Sequence, residues 1–263
     1  MTNQFSTLPG QLLAGKVIFL TGGAQGIGRA CAVAYAAAGA HVAIADRNLT
    51  AAESTASELP LKSLATLCDV GDGESVEAAI QKTVEIFGRL DAVHNNAGIS
   101  SPSAPLHQTT AEEWDSLFQV NVKSVFWTTR SALPHLTAAK GSILNTASLV
   151  GVIGQSQHAA YAGTKGAMIS LTKAMALDYA SRQIRVNAIC PAGVWTPLLR
   201  EWAGQQENPS EIESYLDRIH PLGKCPEGDV IADAAVFLLS DMARFITGCI
   251  LPVSGGAELG YRL

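Results

Sequence analysis

Short apolar runs alternate with longer stretches of helical periodicity along this chain. Val17-Ile18-Phe19-Leu20, Val42-Ala43-Ile44-Ala45, Ser63 to Cys68, Ala92-Val93-His94, Ser142 to Thr146 and Arg185 to Ile189 read as buried strands. Strand following helix in regular alternation predicts an α/β fold, a doubly wound parallel sheet with helices on both faces. Ile250 to Val253 is expected to close the far edge. No repeat, low-complexity tract or linker divides residues 1–263, so a single domain is expected. Only the segment Pro191 to Pro209 breaks the rhythm, and a substrate lid over about residues 191–225 is expected there.

In an open sheet of this kind, ligands sit outside the carboxyl ends of the strands. The first strand hands over to Thr21-Gly22-Gly23-Ala24-Gln25-Gly26-Ile27-Gly28, after which a helix runs through Arg29 to Ala32. Gly22, Gly26 and Gly28 let backbone approach a pyrophosphate at the positive end of that helix, with Gln25 and Ile27 in the same turn. Asp46 ends the second strand, about 20 residues on, as a dinucleotide site requires. Its carboxylate accepts ribose hydroxyls and repels a 2'-phosphate, which favours NAD over NADP. Arg47 offers a mobile cation to such a phosphate, and Gln25 offers none. The uncompensated like charge of Asp46 outweighs the mobile arginine.

Further on, Tyr161 and Lys165 stand four residues apart in an alanine-rich segment that reads as a helix to Ala180, so they share one face. Ser148 lies thirteen residues before Tyr161, just past a strand. Oxidising an alcohol needs a base, and a free phenol of pKa about 10 is a poor one near neutrality. A neighbouring ammonium stabilises the phenolate, and lowering its pKa by two to three units corresponds to roughly 3 to 4 kcal/mol. Tyr161 is therefore the candidate base and Lys165 the cation beside it.

The glycine turn, Asn95-Asn96-Ala97-Gly98, Asn121, Ser148 and Tyr161-Ala162-Gly163-Thr164-Lys165 together resemble the short-chain dehydrogenase/reductase family over nearly the whole chain. The resemblance implies a Rossmann-like fold and oxidoreduction with a nicotinamide cofactor. It implies that Asp69 and Val70 flank the adenine, and that Asn95, Ala97 and Gly98 line the floor of the cofactor groove. Ser148, by itself a plain loop serine, would orient the substrate oxygen, Lys165 would also hold the nicotinamide ribose, Val194 and Thr196 would meet the nicotinamide amide, and Asn121 would anchor a proton-relaying water. Plainer roles stand beside two of these: Asp69 as a helix cap before Gly73, and Asn121 as an amide that satisfies a helix bend. Family members commonly have glycine where this chain has Ala192, and Gly193 is expected to preserve that loop.

Three stretches, Ser148 to Gln155, Trp195 to Leu198 and Gly255 to Tyr261, are similar to a narrower group of L-fucose and 17β-hydroxysteroid dehydrogenases. Gln155 and Trp195 are then expected at the substrate, the first bonding sugar hydroxyls and the second covering a sugar face. Trp202 is expected to pack the cover and His158 to face solvent. The family resemblance implies a homotetramer, and because the last strand of a symmetric assembly lies near a subunit interface, Tyr261 is expected to reach a neighbour's substrate pocket. A steroid or aromatic alcohol dehydrogenase is the rival expectation, allowed by Leu198, Leu199 and Trp202. A regulator without turnover is disfavoured by the presence of Tyr161, Lys165, Ser148 and Asn121.

With 48% hydrophobic and 16% charged residues, the chain closes a sizeable core. A net charge of -5, spread without runs, disfavours nucleic acid and an anionic membrane surface. Five cysteines without a C-x-x-C pair, and six histidines without ligand spacing, point to a reduced, metal-free, cytoplasmic protein. No apolar stretch reaches the length of a membrane span.

Overall fold

A computed structural model describes residues 11–100, 103–206 and 208–259. The strands are β1 (Val17–Thr21), β2 (His41–Asp46), β3 (Leu64–Leu67), β4 (Ala92–Asn95), β5 (Ser142–Thr146), β6 (Arg185–Pro191) and β7 (Ile250–Val253). They pair in parallel in the order β3-β2-β1-β4-β5-β6-β7. Every apolar run read as a strand forms one, with ends displaced by at most two residues. Between them run α1 (Gly26–Ala37), α2 (Leu49–Glu58), α3 (Gly73–Phe87), α4 (Ala111–Phe118), α5 (Ser124–Ala139), the single turn α6 (Val150–Ile153), α7 (Ala159–Tyr179), α8 (Pro197–Gly204), α9 (Pro209–Ile219) and α10 (Asp229–Leu239).

Side chains alternate across the strands, and each face has its own core. Ile18 and Leu20 of β1 with Val42 and Ile44 of β2 pack under α1 and α10. Val17, Phe19, Ala43 and Ala45 point the other way, toward α3, α5 and α7. Asp91 pins β4 to β1, its buried carboxylate accepting the Val17 N–H at 2.8 Å and the Arg89 fork at 2.6 and 2.9 Å.

The turn from β1 to α1 is pressed against the loop after β4. Gly22 has φ +65°, and a Cβ there would stand 2.8 Å from Ala97 Cα. A Cβ on Gly28 would stand 1.9 Å from the Gly22 carbonyl oxygen. Both contacts are backbone against backbone, so no rotamer relieves them. The segment 191–225 contains α8 and α9, which rise over the carboxyl ends of the strands. Thr196 caps α8, its Oγ1 accepting the Leu199 N–H at 3.1 Å with Pro197 at the first helical position.

Gly28→Ala is expected to lower stability by about 2 to 3 kcal/mol, as overpacking against fixed backbone does. Urea denaturation of the two proteins measures the difference.

Candidate active site

A cavity of about 640 Å³ opens at the carboxyl ends of the strands. At its inner end are Gly22, Gln25, Gly26, Ile27 and Gly28. Gln25, at the N-cap of α1, has no side-chain bond to the helix, and the first turn carries no acidic residue. The first N–H groups of α1 are therefore open to an anion, in a turn whose close backbone contacts at Gly22 and Gly28 leave no room for a side chain. Asp46 faces the same cavity with its carboxylate held by backbone: Oδ2 accepts the Ala24 N–H at 3.1 Å and Oδ1 the Asn48 N–H at 3.0 Å. Exposed Arg47 lies beside it, and Asp69, Val70, Ala97 and Gly98 complete this half. These residues fit the pyrophosphate and ribose of a dinucleotide.

The cap of α3 is Asp72, whose Oδ1 accepts the Glu74 N–H at 3.1 Å, and not Asp69. Asp69 instead turns the chain, accepting the Gly71 N–H at 2.8 Å. Asn95 is absent from the cavity wall among the described residues. Its amide points into the interior, bonded to Asn145 (2.9 Å) and Thr128 (2.6 Å), because the last residue of a strand is turned by the pleat. Its neighbour Asn96 lines the cavity, and Nδ2 closes on the carbonyls of Thr21 and Gly22, both at 3.1 Å.

The other half holds Ser148, Tyr161 and Lys165. Their shared wall follows from α7, on which Tyr161 and Lys165 are one turn apart, and from the end of β5, which delivers Ser148. Lys165 Nζ donates to the Thr146 carbonyl at 2.8 Å and lies 5.8 Å from the centre of the Tyr161 ring. Burial lowers the Lys165 ammonium to about 8, opposed by the nearby Cys190. The Tyr161 phenol is raised above its ordinary value by burial, and its hydrogen bond with Ser148 pulls it back. In the chain by itself desolvation thus outweighs the expected lowering by Lys165.

Asn121 lies behind this wall in a π-turn between α4 and α5 (Gln119–Lys123). Its Oδ1 accepts the Ile99 N–H (2.8 Å), and Nδ2 donates to the Ile99 carbonyl (2.9 Å) and Thr164 Oγ1 (3.1 Å). Val194, Ala192 and Gly193 line the cavity with Thr196, and neither Ala192 nor Gly193 has a positive φ. The loop therefore accepts alanine at 192. A side chain at 193 would press on Leu216, His220 and Cys225, between 3.1 and 3.3 Å away.

At the outer end the two tryptophans exchange their expected places. Trp195 lies outside this cavity, in a separate groove of about 350 Å³ with Arg29, Glu227 and Asp229. Its backbone N–H donates to the Pro226 carbonyl at 2.8 Å and Arg200 stacks on its ring at 4.9 Å, which turn the indole away from the substrate side. Trp202 and His158 line the cavity instead, with His158 only 8% exposed. Exposed Gln155 lies at the mouth, and Tyr215, which no sequence pattern singled out, lies across from it. Tyr261 lies outside the described residues.

The family model described as enoyl-(acyl carrier protein) reductase matches residues 22–258, a span that includes every residue lining the cavity. The chain belongs to the short-chain dehydrogenase/reductase family. As a member of it, the protein is an oxidoreductase acting on CH–OH donors. It is 41% identical to an L-fucose dehydrogenase of Bos taurus, across 96% of this chain and 93% of that protein. It is 40% identical to a 2,5-dichloro-2,5-cyclohexadiene-1,4-diol dehydrogenase of Sphingobium indicum, across 93% and 97%. Among solved structures, a 3-ketoacyl-(acyl-carrier-protein) reductase from Brucella melitensis in complex with NADH superposes with a TM-score of 0.88 at 35% identity, covering 93% of this chain and 99% of that one.

In this family member, Ser148→Ala removes the contact that lowers the Tyr161 phenol. The rising alkaline limb of the oxidation rate is expected to move to higher pH, since a higher pKa needs a higher pH for the same phenolate fraction. Profiles of kcat/KM against pH, which report the free enzyme, check the direction for the two proteins.

Proposed function

We propose that this protein is an NAD-dependent dehydrogenase of a small polyhydroxylated ring, with the anomeric hydroxyl of L-fucose or a similar aldose as the leading substrate. The observation that carries this reading is that Ser148, Tyr161 and Lys165 share one cavity with the glycine cradle and the backbone-held Asp46 carboxylate. NAD would lie with its pyrophosphate on the first turn of α1 and its adenosine ribose at Asp46. Its nicotinamide supplies the hydride acceptor when bound. Asp46 accepts the ribose hydroxyls with lone pairs left over from the Ala24 and Asn48 N–H groups, and opposes a 2'-phosphate.

The chain's own part in the reaction is proton handling and orientation. Ser148 donates to the substrate oxygen and fixes its direction, and Tyr161 Oη takes the hydroxyl proton as the carbon gives up its hydride. The product is a ketone, or a lactone when the carbon is anomeric. Lys165, anchored on the Thr146 carbonyl, holds a positive charge near the developing phenolate and reaches the nicotinamide ribose. Asn121 fixes the Ile99 backbone beside Thr164, at the place from which a water would carry the proton outward. Gln155 is the polar group available to further hydroxyls.

The relatives support a ring alcohol: one is named for L-fucose and another for a cyclohexadiene diol. A second reading, dehydrogenation of an apolar alcohol such as a hydroxysteroid, is favoured by Ile153, Leu198, Leu199 and Ile219 on the same wall. Initial rates over aldoses, cyclic polyols and hydroxysteroids, each with NAD and with NADP, separate the two. A higher kcat/KM for steroids, or for NADP, overturns the leading reading. A homotetramer belongs to the same proposal, supported by fully exposed Phe245, by Leu177 at 80% and by Phe126 at 52% exposure. Light scattering tests it.

Two variants are decisive. Tyr161→Phe is expected to reduce kcat about 10³-fold while NADH binding, followed by fluorescence, stays close to wild type. Asp46→Ala is expected to shrink the NAD/NADP ratio of kcat/KM roughly tenfold, because a charged hydrogen bond and a repulsion go together.

A further inference from the structure

At the outer end of the cavity, three separate segments meet through side chains that take no part in proton transfer. Trp202 of α8 donates its indole Nε1–H to Ser103 Oγ at 3.0 Å. Ser103 Oγ lies 3.3 Å from His158 Nε2, and His158 Nδ1 lies 3.0 Å from the Ser156 carbonyl oxygen. The donors available determine the direction of each bond. A carbonyl only accepts, so in the neutral ring the His158 proton sits on Nδ1 and Nε2 is an acceptor. Ser103 therefore gives its hydroxyl proton to Nε2, and its lone pairs remain for the indole N–H, which only donates. The chain from Trp202 through Ser103 and His158 to Ser156 uses every donor in it. It needs a residue at 103 that donates and accepts at once.

Backbone reinforces the junction. The Ala104 N–H donates to the Gln157 carbonyl at 2.8 Å, and Gln157 is held at φ +60°, a conformation that a residue with a side chain seldom adopts. His158 is the N-cap residue of α7, three positions before Tyr161. Its ring meets that of Trp202 edge to face, 6.0 Å between centres, and both line the cavity. Ser103 thus ties the covering helix α8 to the end of the helix that carries the base. The same 640 Å³ has to take cofactor and substrate together.

We propose that Ser103 is a specificity-determining residue of this oxidoreductase. By engaging the polar atoms of Trp202 and His158, it fixes α8 at one height above Tyr161 and leaves the outer wall as ring surface. Alcohols built on a single ring fit beneath that wall, and fused-ring alcohols do not. Hydrogen bonding to the substrate then falls to Ser148 and Tyr161 within and to polar groups such as Gln155 and Tyr215 at the mouth. The inference rests on the cavity being an alcohol dehydrogenase site, as proposed above.

The test uses the full-length enzyme with Ser103→Ala, Ser103→Thr and Trp202→Phe, assayed with L-fucose, a cyclohexanediol and estradiol. Ser103→Ala and Trp202→Phe are expected to raise KM for the best single-ring substrate roughly tenfold, since a buried partner is left unpaired, with kcat changed less than about threefold. The ratio of kcat/KM for estradiol to that for the single-ring alcohol is expected to rise by a similar factor. Ser103→Thr, which keeps the hydroxyl, restores both. NADH affinity stays at the wild-type value in all three. With NADH bound, amide hydrogen exchange over residues 197–204 is expected to be faster in Ser103→Ala than in wild type or Ser103→Thr. Unchanged selectivity and exchange in Ser103→Ala, or a Thr variant that behaves like Ala, overturns the proposal. A wild-type enzyme that oxidises none of the alcohols refutes the proposed function, and the exchange measurement then decides the role of Ser103 by itself.

Discussion

The contact on which the site depends is the one between two stretches of bare backbone, the β1–α1 turn and the loop after β4. Gly22 lies under Ala97 and Gly28 lies under the Gly22 carbonyl at separations that no side chain permits. That approach aims the open end of α1 into the cavity. It also brings Asn96 within reach of the Thr21 and Gly22 carbonyls, while Thr21 Oγ1 accepts the N–H groups of Asn96 (3.0 Å) and Ala97 (3.1 Å). From Asn96 the connection runs across the sheet to Thr146, whose carbonyl holds the Lys165 ammonium. His94 joins the same layer, with Tyr35 OH on one ring nitrogen and Thr146 Oγ1 on the other, each at 2.8 Å. The anion cradle and the proton-transfer end are thus braced by one buried polar layer.

Burial acts on Tyr161 and Lys165 in opposite senses. It makes the Tyr161 phenol hold its proton more tightly and the Lys165 ammonium, brought to about 8, hold its proton less tightly. Both shifts favour the uncharged forms, which is what removal from water does to any ion. A phenolate at Tyr161 is therefore costly in the chain by itself and gains from every positive charge and donor brought near it. Ser148 is the donor the chain contributes directly until its one hydroxyl proton turns to a substrate oxygen. Removal from bulk water makes each such contact count for more than it would on the surface.

The sheet was legible because strands buried on both faces need uninterrupted apolar side chains, and Val17 to Leu20 or Val42 to Ala45 could belong to little else. The cradle and the Tyr161/Lys165 pair were legible because both are local: a turn of glycines, and two residues one helical turn apart. What was not legible depended on direction at a scale finer than the pattern. Asn95 and Asn96 are chemically identical neighbours, and the pleat sends one inward and the other to the cavity. Trp195 and Trp202 flank the start and end of α8, and the capped, proline-led entry at Thr196 and Pro197 turns the first away and the second in. Asp69 and Asp72 competed for one cap, and the residue directly before α3 took it. Ser103 had no signal in the sequence at all, because its partners are 55 and 99 residues away.

The strand order carries a consequence for how the molecule is made. β1 has its neighbours in β2 and β4, and the Asp91 carboxylate that closes the start of β4 onto Val17 is 74 residues downstream. The proton-transfer end arrives later still, since β5 is flanked by β6 at Arg185–Pro191. Contacts so distant along the chain close slowly, because the intervening loop must give up its freedom before they form. A chain emerging from the ribosome would first complete the β1–β2–β3 half with its row of apolar side chains. That half then waits, one long strand edge uncovered, for β4 to be synthesised, and during this interval the nascent protein is most exposed to mispairing and to the chaperones that guard against it.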